Sequence, residues 1–451
     1  MSLKTFRGGV HIRDGKKLSS HAAIQIYRPK GELVYLMNQH IGAPAVPCVR
    51  AGERVLIGQK LADPGGFVSA GVYASVSGTV KAVTGRECMN GDTATAVIVE
   101  NDGIYETVPG YGAERDWQSM TADEIKAAIK DAGIVGMGGA GFPTHVKLSV
   151  KDGLHIDHVI CNGAECEPYI TCDHRLMLER PEAAVLGMRI LTSLFPGSVG
   201  VIGIEGNKPD GIEAVAAACQ GYDNVSVLPL KKKYPQGGER MIIEAVTKRR
   251  INSKMLPADA GCIVVNFSTV IAVADAVAYG KPLTHRVVTV TGDAVKEPSN
   301  FLVPIGTKAE ELIEAAGGFT AEPEKVIFGG PMMGFAVYNL DLPVNKATSC
   351  ILAYKRDRVY NPSECIRCGK CLTVCPEHLM PIKLKNTADE RDFAEFEHLH
   401  GLECIGCGSC TYICPAKRRL SQSIVAAKQF VLLEKKKAAA AAREANNGTK
   451  G

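Results

Sequence analysis

Between residues 20 and 100 apolar and polar positions alternate in short runs, as in Val72-Tyr73-Ala74-Ser75-Val76 and Gly78-Thr79-Val80-Lys81-Ala82-Val83, separated by turn signals. That period of two predicts a β-rich unit. The texture changes near Trp117. Thr121 and Glu124 form a capping box, Ile125, Ile129 and Ala132 follow at helical spacing, and Gly133 supplies a stop. From there to about residue 278, helical and strand-like runs alternate, the pattern of an α/β unit. Strand-like runs at 285–295 and 325–330 bracket a helical run at 307–316, which predicts a smaller β unit with one helix. A cysteine repeat occupies 361–420, and a Lys- and Ala-rich helical run closes the chain.

The longest apolar runs, 190–204 and 261–274, fall short of the roughly 20 residues of a membrane-spanning helix and carry Pro196 or glycines. Both read as buried core. With 451 residues, 46% of them hydrophobic and 22% charged, the composition excludes a disordered or collagen-like chain and a disulfide mini-protein. The length suits about three domains at roughly 150 residues each. Residues 1–17 carry charges throughout and no apolar stretch of the export type, so a reducing compartment is expected. The 16 cysteines then read as metal ligands or redox groups before disulfides. The net charge is +4, and residues 428–451, with six basic and two acidic side chains, account for all of it. The remainder is neutral, and no nucleic-acid partner is expected.

Two strings decide the chemistry. Cys365-x2-Cys368-x2-Cys371-x3-Cys375-Pro376 recurs 39 residues later as Cys404-x2-Cys407-x2-Cys410-x3-Cys414-Pro415, the spacing of bacterial ferredoxins. Three near thiolates grip three corners of a 4Fe-4S cube, while the fourth, expected to open a short helix, points to the neighbouring cube. Cys365, Cys368, Cys371 and Cys414 are therefore expected to hold one cluster, and Cys404, Cys407, Cys410 and Cys375 the other. Zinc would more often use two separated pairs. The second string, Gly136-Met137-Gly138-Gly139-Ala140-Gly141-Phe142-Pro143-Thr144-His145-Val146-Lys147, contains G-x-G-x-x-G, but a capped helix precedes it instead of the strand a dinucleotide fingerprint requires. Its glycines still allow backbone N–H groups to approach a phosphate or a ring, and Lys147 adds a cation.

This glycine loop resembles the one that holds FMN and NADH in the flavoprotein subunit of respiratory complex I. Cys161-Asn162-Gly163-Ala164-Glu165-Cys166-Glu167-Pro168 resembles it too, as do Tyr234-Pro235-Gln236-Gly237-Gly238-Glu239 and Val265-Asn266-Phe267-Ser268-Thr269 more loosely. The resemblance implies that Gly136, Gly138, Lys147, Asn162, Asn266 and Thr269 contact FMN. It implies that Gly139, Ala140, Phe142, Glu167 and Glu239 line the nicotinamide nucleotide site, with Glu165 also among the cofactor-binding residues and no catalytic side chain beyond FMN itself. The chain departs from that family at Ala164, where an acidic residue is usual, and at Val265, where an asparagine is usual, so different hydrogen bonds to the flavin ring are expected. Cys161, Cys166 and Cys172 lack cluster spacing.

Residues 50–62 and 76–80 resemble the barrel-sandwich hybrid of lipoyl and biotinyl carriers, without the hairpin lysine that carriers need between Lys60 and Lys81. With Thr5-Phe6-Arg7-Gly8-Gly9-Val10-His11 ahead of it, a unit resembling a soluble-ligand-binding β-grasp (SLBB) domain, and the ferredoxin repeat, the ordered set resembles the RnfC family. These are peripheral subunits of Rnf ion-translocating ferredoxin:NAD oxidoreductases. The resemblance implies a multidomain α/β and α+β fold: a barrel-sandwich hybrid at 1–110, a complex-I-flavoprotein-like domain at 115–280, an SLBB domain at 284–350, a helical double 4Fe-4S domain at 358–420, and a basic helical tail at 421–451. It further implies two 4Fe-4S clusters, non-covalent FMN and NAD(H) as substrate. The implied place is the cytoplasmic side of the cell membrane, beside other subunits of the complex and with ferredoxin as an indirect partner. The alternatives are a soluble cobalamin reductase, which would begin near the glycine loop, and an electron-wiring scaffold without a working flavin site. The tail suits anionic lipid, an acidic partner face, or simple solvation.

Overall fold

The structure is a computed structural model that describes residues 3–448. Its first sheets are small and antiparallel. Strands Glu32–Leu36, Thr93–Asn101, Gly78–Glu87 and Arg54–Val55 form one, and Val46–Pro47, Lys60–Asp63 and Val72–Tyr73 the other. Leu33, Tyr35, Val55, Leu61, Val72, Val80, Val97 and Val99 fill the space between them. These are the positions that the alternating pattern points inward. The barrel's own strands begin at Glu32, and the residues before it run elsewhere. Lys4 bridges to Leu230, Val10 to Tyr234, and strand Ile24–Ile26 pairs in parallel with Ser299–Pro304.

The central unit is a parallel sheet in the order Val225–Leu230, Val199–Glu205, His158–Gly163, Cys262–Asn266. Both apolar runs flagged above lie in its core. Helix Pro181–Ser193 packs on helix Phe267–Tyr279, and Gly187 lets the backbones approach, since a Cβ there would lie 2.1 Å from the Val270 carbonyl oxygen. Helix Ala122–Asp131 starts on the Thr121–Glu124 capping box, buries Ile125 and Ile129, and is followed by Gly133 at φ 64. The β-grasp-like unit is one sheet, Ile24–Ile26, Ser299–Pro304, His285–Thr291, Cys350–Tyr354, Lys325–Phe328, Phe335–Val337, covered by helix Ala309–Ala315. Its edge strand comes from the N-terminal segment.

The last unit is helical. Helix Leu420–Gly448 begins as core, because Leu420, Ile424, Ala427 and Val431 are buried and the last three pack with Cys375, Leu384 and Phe396. The run expected as a tail is thus, for its first three turns, part of the cluster unit. Residues 449–451, the end of the expected tail, lie outside the described residues.

Two cations, buried Lys346 and partly buried Arg240, tie the units together. The Lys346 ammonium donates to the carbonyls of Gly71 (2.5 Å) and Gly133 (2.7 Å), while its backbone N–H donates to Gln39. It thereby joins the β-grasp-like, barrel and α/β units. Burial pushes it down to about 7 from 10.5. Arg240 joins the α/β unit to the helical one through Glu377 (3.0 Å) and Glu403 (2.9 Å), and Glu403 also accepts from Ser253 N–H.

Because Lys346 holds fewer protons folded than unfolded between pH 7 and 10.5, it makes stability rise with pH across that window. Denaturant midpoints measured from pH 7 to 10 should show that slope, and Lys346→Met should remove this component. Arg240→Ala leaves two carboxylates facing each other, a loss of about 3 kcal/mol for a largely buried pair. Limited proteolysis should then cut residues 355–364 several times faster, with the α/β unit still intact.

Candidate functional site

The strand order of the central sheet reverses between His158–Gly163 and Cys262–Asn266, and such a switch point opens a crevice at the carboxyl ends of the strands. Asn162 and Asn266 stand there as register partners. Asn266 caps helix Phe267–Tyr279, its Oδ1 accepting from Thr269 N–H (3.2 Å), and its Nδ2 donates to buried Asp173 (2.8 Å). Asn162 Nδ2 donates to the Gly237 carbonyl (2.7 Å).

The glycine loop closes over this crevice. Gly136 N–H donates to the Phe142 carbonyl (2.8 Å), Val135 bridges Pro143, and Met137 N–H donates to Thr269 Oγ1 (2.9 Å). The Met137 carbonyl is held from the β-grasp-like unit by Arg286, at 2.6 Å. Pinned at its root, the loop presents Gly138, Gly139 and Ala140 to the open side. Gly138 permits the approach, since a Cβ there would lie 2.8 Å from Asn266 Nδ2. The short helix Thr144–Leu148 carries Lys147, whose ammonium donates to Glu239 (2.7 Å) and to the Val264 carbonyl (2.9 Å). The fold therefore assembles Gly136, Gly138, Gly139, Ala140, Lys147, Asn162, Glu239, Asn266 and Thr269 around one crevice, with Phe142 at the loop's base.

Two expected residues are used differently. The Glu165 carboxylate is buried, accepts from Asp173 N–H (2.7 Å) at the start of helix Cys172–Glu179, and pairs with Lys16. It anchors this helix end and the segment that carries Lys16, because the four unpaired N–H groups of a helix start attract a carboxylate. Glu167 Oε2 accepts from Met332 N–H (3.1 Å), and its Oε1 is buried without a protein partner. Burial pushes the Glu167 carboxyl up to about 7. Asp173, Arg286 and Lys16 carry no local signature, and only the folded chain brings them to the crevice. Cys161 and Cys172 are core thiols raised by burial, and the Cys166 sulfur accepts from Gly237 N–H (3.3 Å).

Cysteines of the repeat approach one another across the two motifs. Cys375, from the first motif, lines one cavity with Cys404, Cys407 and Cys410 from the second, walled by Leu379, Leu384, Ile405 and Ile424. Burial pushes the Cys410 thiol up to about 12, reinforced by Cys407, Cys404 and Cys375. Cys371 is raised by burial, with Cys414 and Cys365 among its neighbours. The fourth cysteine does not open a helix. Helices Lys370–Val374 and Ser409–Ile413 hold the third cysteine of each motif and end at Cys375 and Cys414, whose ψ values are 118 and 115. The following Pro376 and Pro415 explain this, since a residue before proline is pushed out of the helical region.

Models of four known families match successive stretches of the chain. They are the RnfC barrel sandwich hybrid domain at 4–104, the Nuo51 FMN-binding domain at 129–275, the SLBB domain at 287–336 and the 4Fe-4S dicluster domain at 357–423. The chain is 42% identical, over 96% of its length and 98% of the relative's, to the RnfC protein of the Na+-translocating ferredoxin:NAD+ oxidoreductase complex of Acetobacterium woodii. It is 46% identical to the RnfC protein of the proton-translocating complex of Clostridium ljungdahlii, over 85% and 84% of the two chains. Against the corresponding protein of the ion-translocating oxidoreductase complex of Pseudomonas aeruginosa the identity is 39%, over 85% of this chain and 50% of that one. With these four domains in this order and such identity over most of its length, the chain belongs to the RnfC family, whose members are subunits of ion-translocating ferredoxin:NAD+ oxidoreductase complexes.

Proposed function

We propose that this chain is the electron-transfer subunit of a membrane-bound ion-translocating ferredoxin:NAD+ oxidoreductase complex, exchanging electrons between two 4Fe-4S clusters, FMN and NAD(H). The observation that carries this reading is one continuous packing. The cavity of Cys375, Cys404, Cys407 and Cys410 adjoins Tyr234, Val10 and Cys166, and Cys166 touches Gly237 at the floor of the crevice. FMN supplies what the clusters lack, since it takes electrons singly and gives two together as hydride.

The residues fit these groups. The backbone N–H of Gly138 and the Lys147 ammonium suit an anionic or polarised ligand, with Gly136 closing the loop's turn on Phe142 and Glu239 fixing the lysine. Asn162 and Asn266 orient their amides at the switch point, and Thr269 holds the loop through Met137. Gly139, Ala140 and Phe142 form the side from which a nicotinamide would approach, with Glu167 behind it. Cys365, Cys368, Cys371 and Cys414 hold one cluster in this reading, and Cys404, Cys407, Cys410 and Cys375 the other. Each thiol would release its proton on binding iron, as metal binding requires.

Among the described residues no helix is long and apolar enough to cross a membrane. In this reading the chain is a peripheral subunit, held by other subunits of the complex at the cytoplasmic side. A cobalamin reductase is not favoured, because the barrel precedes the glycine loop and the relatives share it.

Anaerobically purified protein should carry about eight irons and one releasable FMN, by the count of cubes and crevices. Lys147→Ala should lower FMN occupancy and leave iron unchanged; undiminished flavin removes Lys147 from the assignment. Cys375→Ala tests the crossing. Electron paramagnetic resonance should show loss of the cluster held by the second motif, with the signal of the other retained.

A further inference from the structure

Asp173 lies behind the wall of the crevice, 5% exposed, in the first turn of helix Cys172–Glu179. Its Oδ2 accepts from Asn266 Nδ2 (2.8 Å) and its Oδ1 from the Ser268 hydroxyl. Two accepting oxygens are what an ionised, acceptor-only carboxylate presents. Burial and Glu165 push this carboxyl up, while Ser268, Arg286 and Asn266 pull it down. Arg286 is itself buried, but it donates to the Thr348 and Met137 carbonyls and makes no hydrogen bond to Asp173.

The helix does not require this side chain. Its opening N–H groups are served by Glu165, which accepts from Asp173 N–H (2.7 Å) and His174 N–H (3.4 Å). A neutral residue of the same size would pack there at lower cost, because a buried charge is expensive even when it is compensated. Both side-chain hydrogen bonds of Asp173 go instead to the segment 266–269 that forms one wall of the crevice.

Asn266 is the group on which the carboxylate acts. An amide can turn over with almost no change of shape, so its hydrogen bonds choose its orientation. Oδ1 is committed to Thr269 N–H and Nδ2 to Asp173, which sets the donor side toward Gly138, where a Cβ would lie 2.8 Å from Nδ2. The second N–H of Nδ2 has no acceptor among the described residues and is left for a ligand in the crevice. Ala164 and Val265, beside the two strand ends, are apolar, which leaves Asn162 and Asn266 as the polar side chains at those ends.

We infer that Asp173 is a positioning residue for FMN: it locks the donor side of the Asn266 amide toward the crevice and places behind it a negative charge that lowers the reduction potential of the bound flavin. The inference rests on the FMN reading above. Added electrons are disfavoured beside a carboxylate in a site of low dielectric, and groups of this kind around a flavin tune its electronics.

The test uses anaerobically purified holoprotein. Asp173→Asn keeps the shape and still accepts from the Asn266 amide, so it removes the charge alone. Its flavin midpoint potential, read by redox titration of the flavin absorbance, should rise, with FMN content, iron content and thermal midpoint at the parent level. Asp173→Ala removes the hydrogen bond as well. It should raise the potential and weaken FMN binding about tenfold, the scale of one lost charge-assisted hydrogen bond. A purely structural role predicts an unmoved potential in Asp173→Asn, and that result overturns the inference. So does unchanged FMN affinity in Asp173→Ala, or a potential that rises in Asp173→Asn only together with loss of iron or of thermal stability. Clusters without flavin in the unmodified holoprotein would instead count against the functional reading itself.

Discussion

Electron exchange between buried centres requires that they be held close, and here that constraint falls on one seam. Val10, Tyr234, Val374 and Cys407 pack into an apolar contact, and Arg240 closes its edge on Glu377 and Glu403. The arginine is pre-organised for two carboxylates, which would otherwise repel each other beside a cluster of negative charge. Cys166 lies on the same seam and touches Gly237, so the packing that fixes the cluster unit also reaches the floor of the crevice. Loosening the seam would separate the two halves of the chemistry without unfolding either.

The remaining ties serve the same end. The segment before the barrel crosses the α/β unit, contacts the cluster unit through Gly9 N–H and Val374, and ends as an edge strand of the β-grasp-like sheet. Lys346 and Arg286 reach out of that last unit, one to the Gly133 turn and the other to Met137 in the glycine loop. The SLBB-type domain is therefore a brace for the crevice as well as a neighbour of it.

Charge looks different in the folded chain. The terminal helix holds the formal excess, yet the Lys428 ammonium donates to the Cys404 carbonyl, Lys435 meets Glu397, and Lys437 meets Glu434. Much of that charge is engaged. Unpaired basic side chains also occur around Cys365 and Cys368, in a stretch whose local balance a whole-chain count conceals.

Local structure and chemistry were written in short stretches of the chain. The period-two runs, the Thr121–Glu124 box and the spacing of eight cysteines act over a few residues, where backbone geometry and ligand reach are set by chain neighbours. Most of the crevice was legible for the same reason, through the glycine loop, Lys147 and the two asparagines. Other outcomes arose on folding: Glu165 is buried against a helix start, the fourth cysteines end helices, and Asp173 and Arg286 support the crevice. The terminal helix begins as core, and one cluster half is covered while the other is open. Most of these outcomes depend on contacts between distant parts of the chain, such as Arg286 with Met137 and Ser253 with Glu403. A burial or a charge partner at that range is set by how whole units pack, which no local pattern encodes.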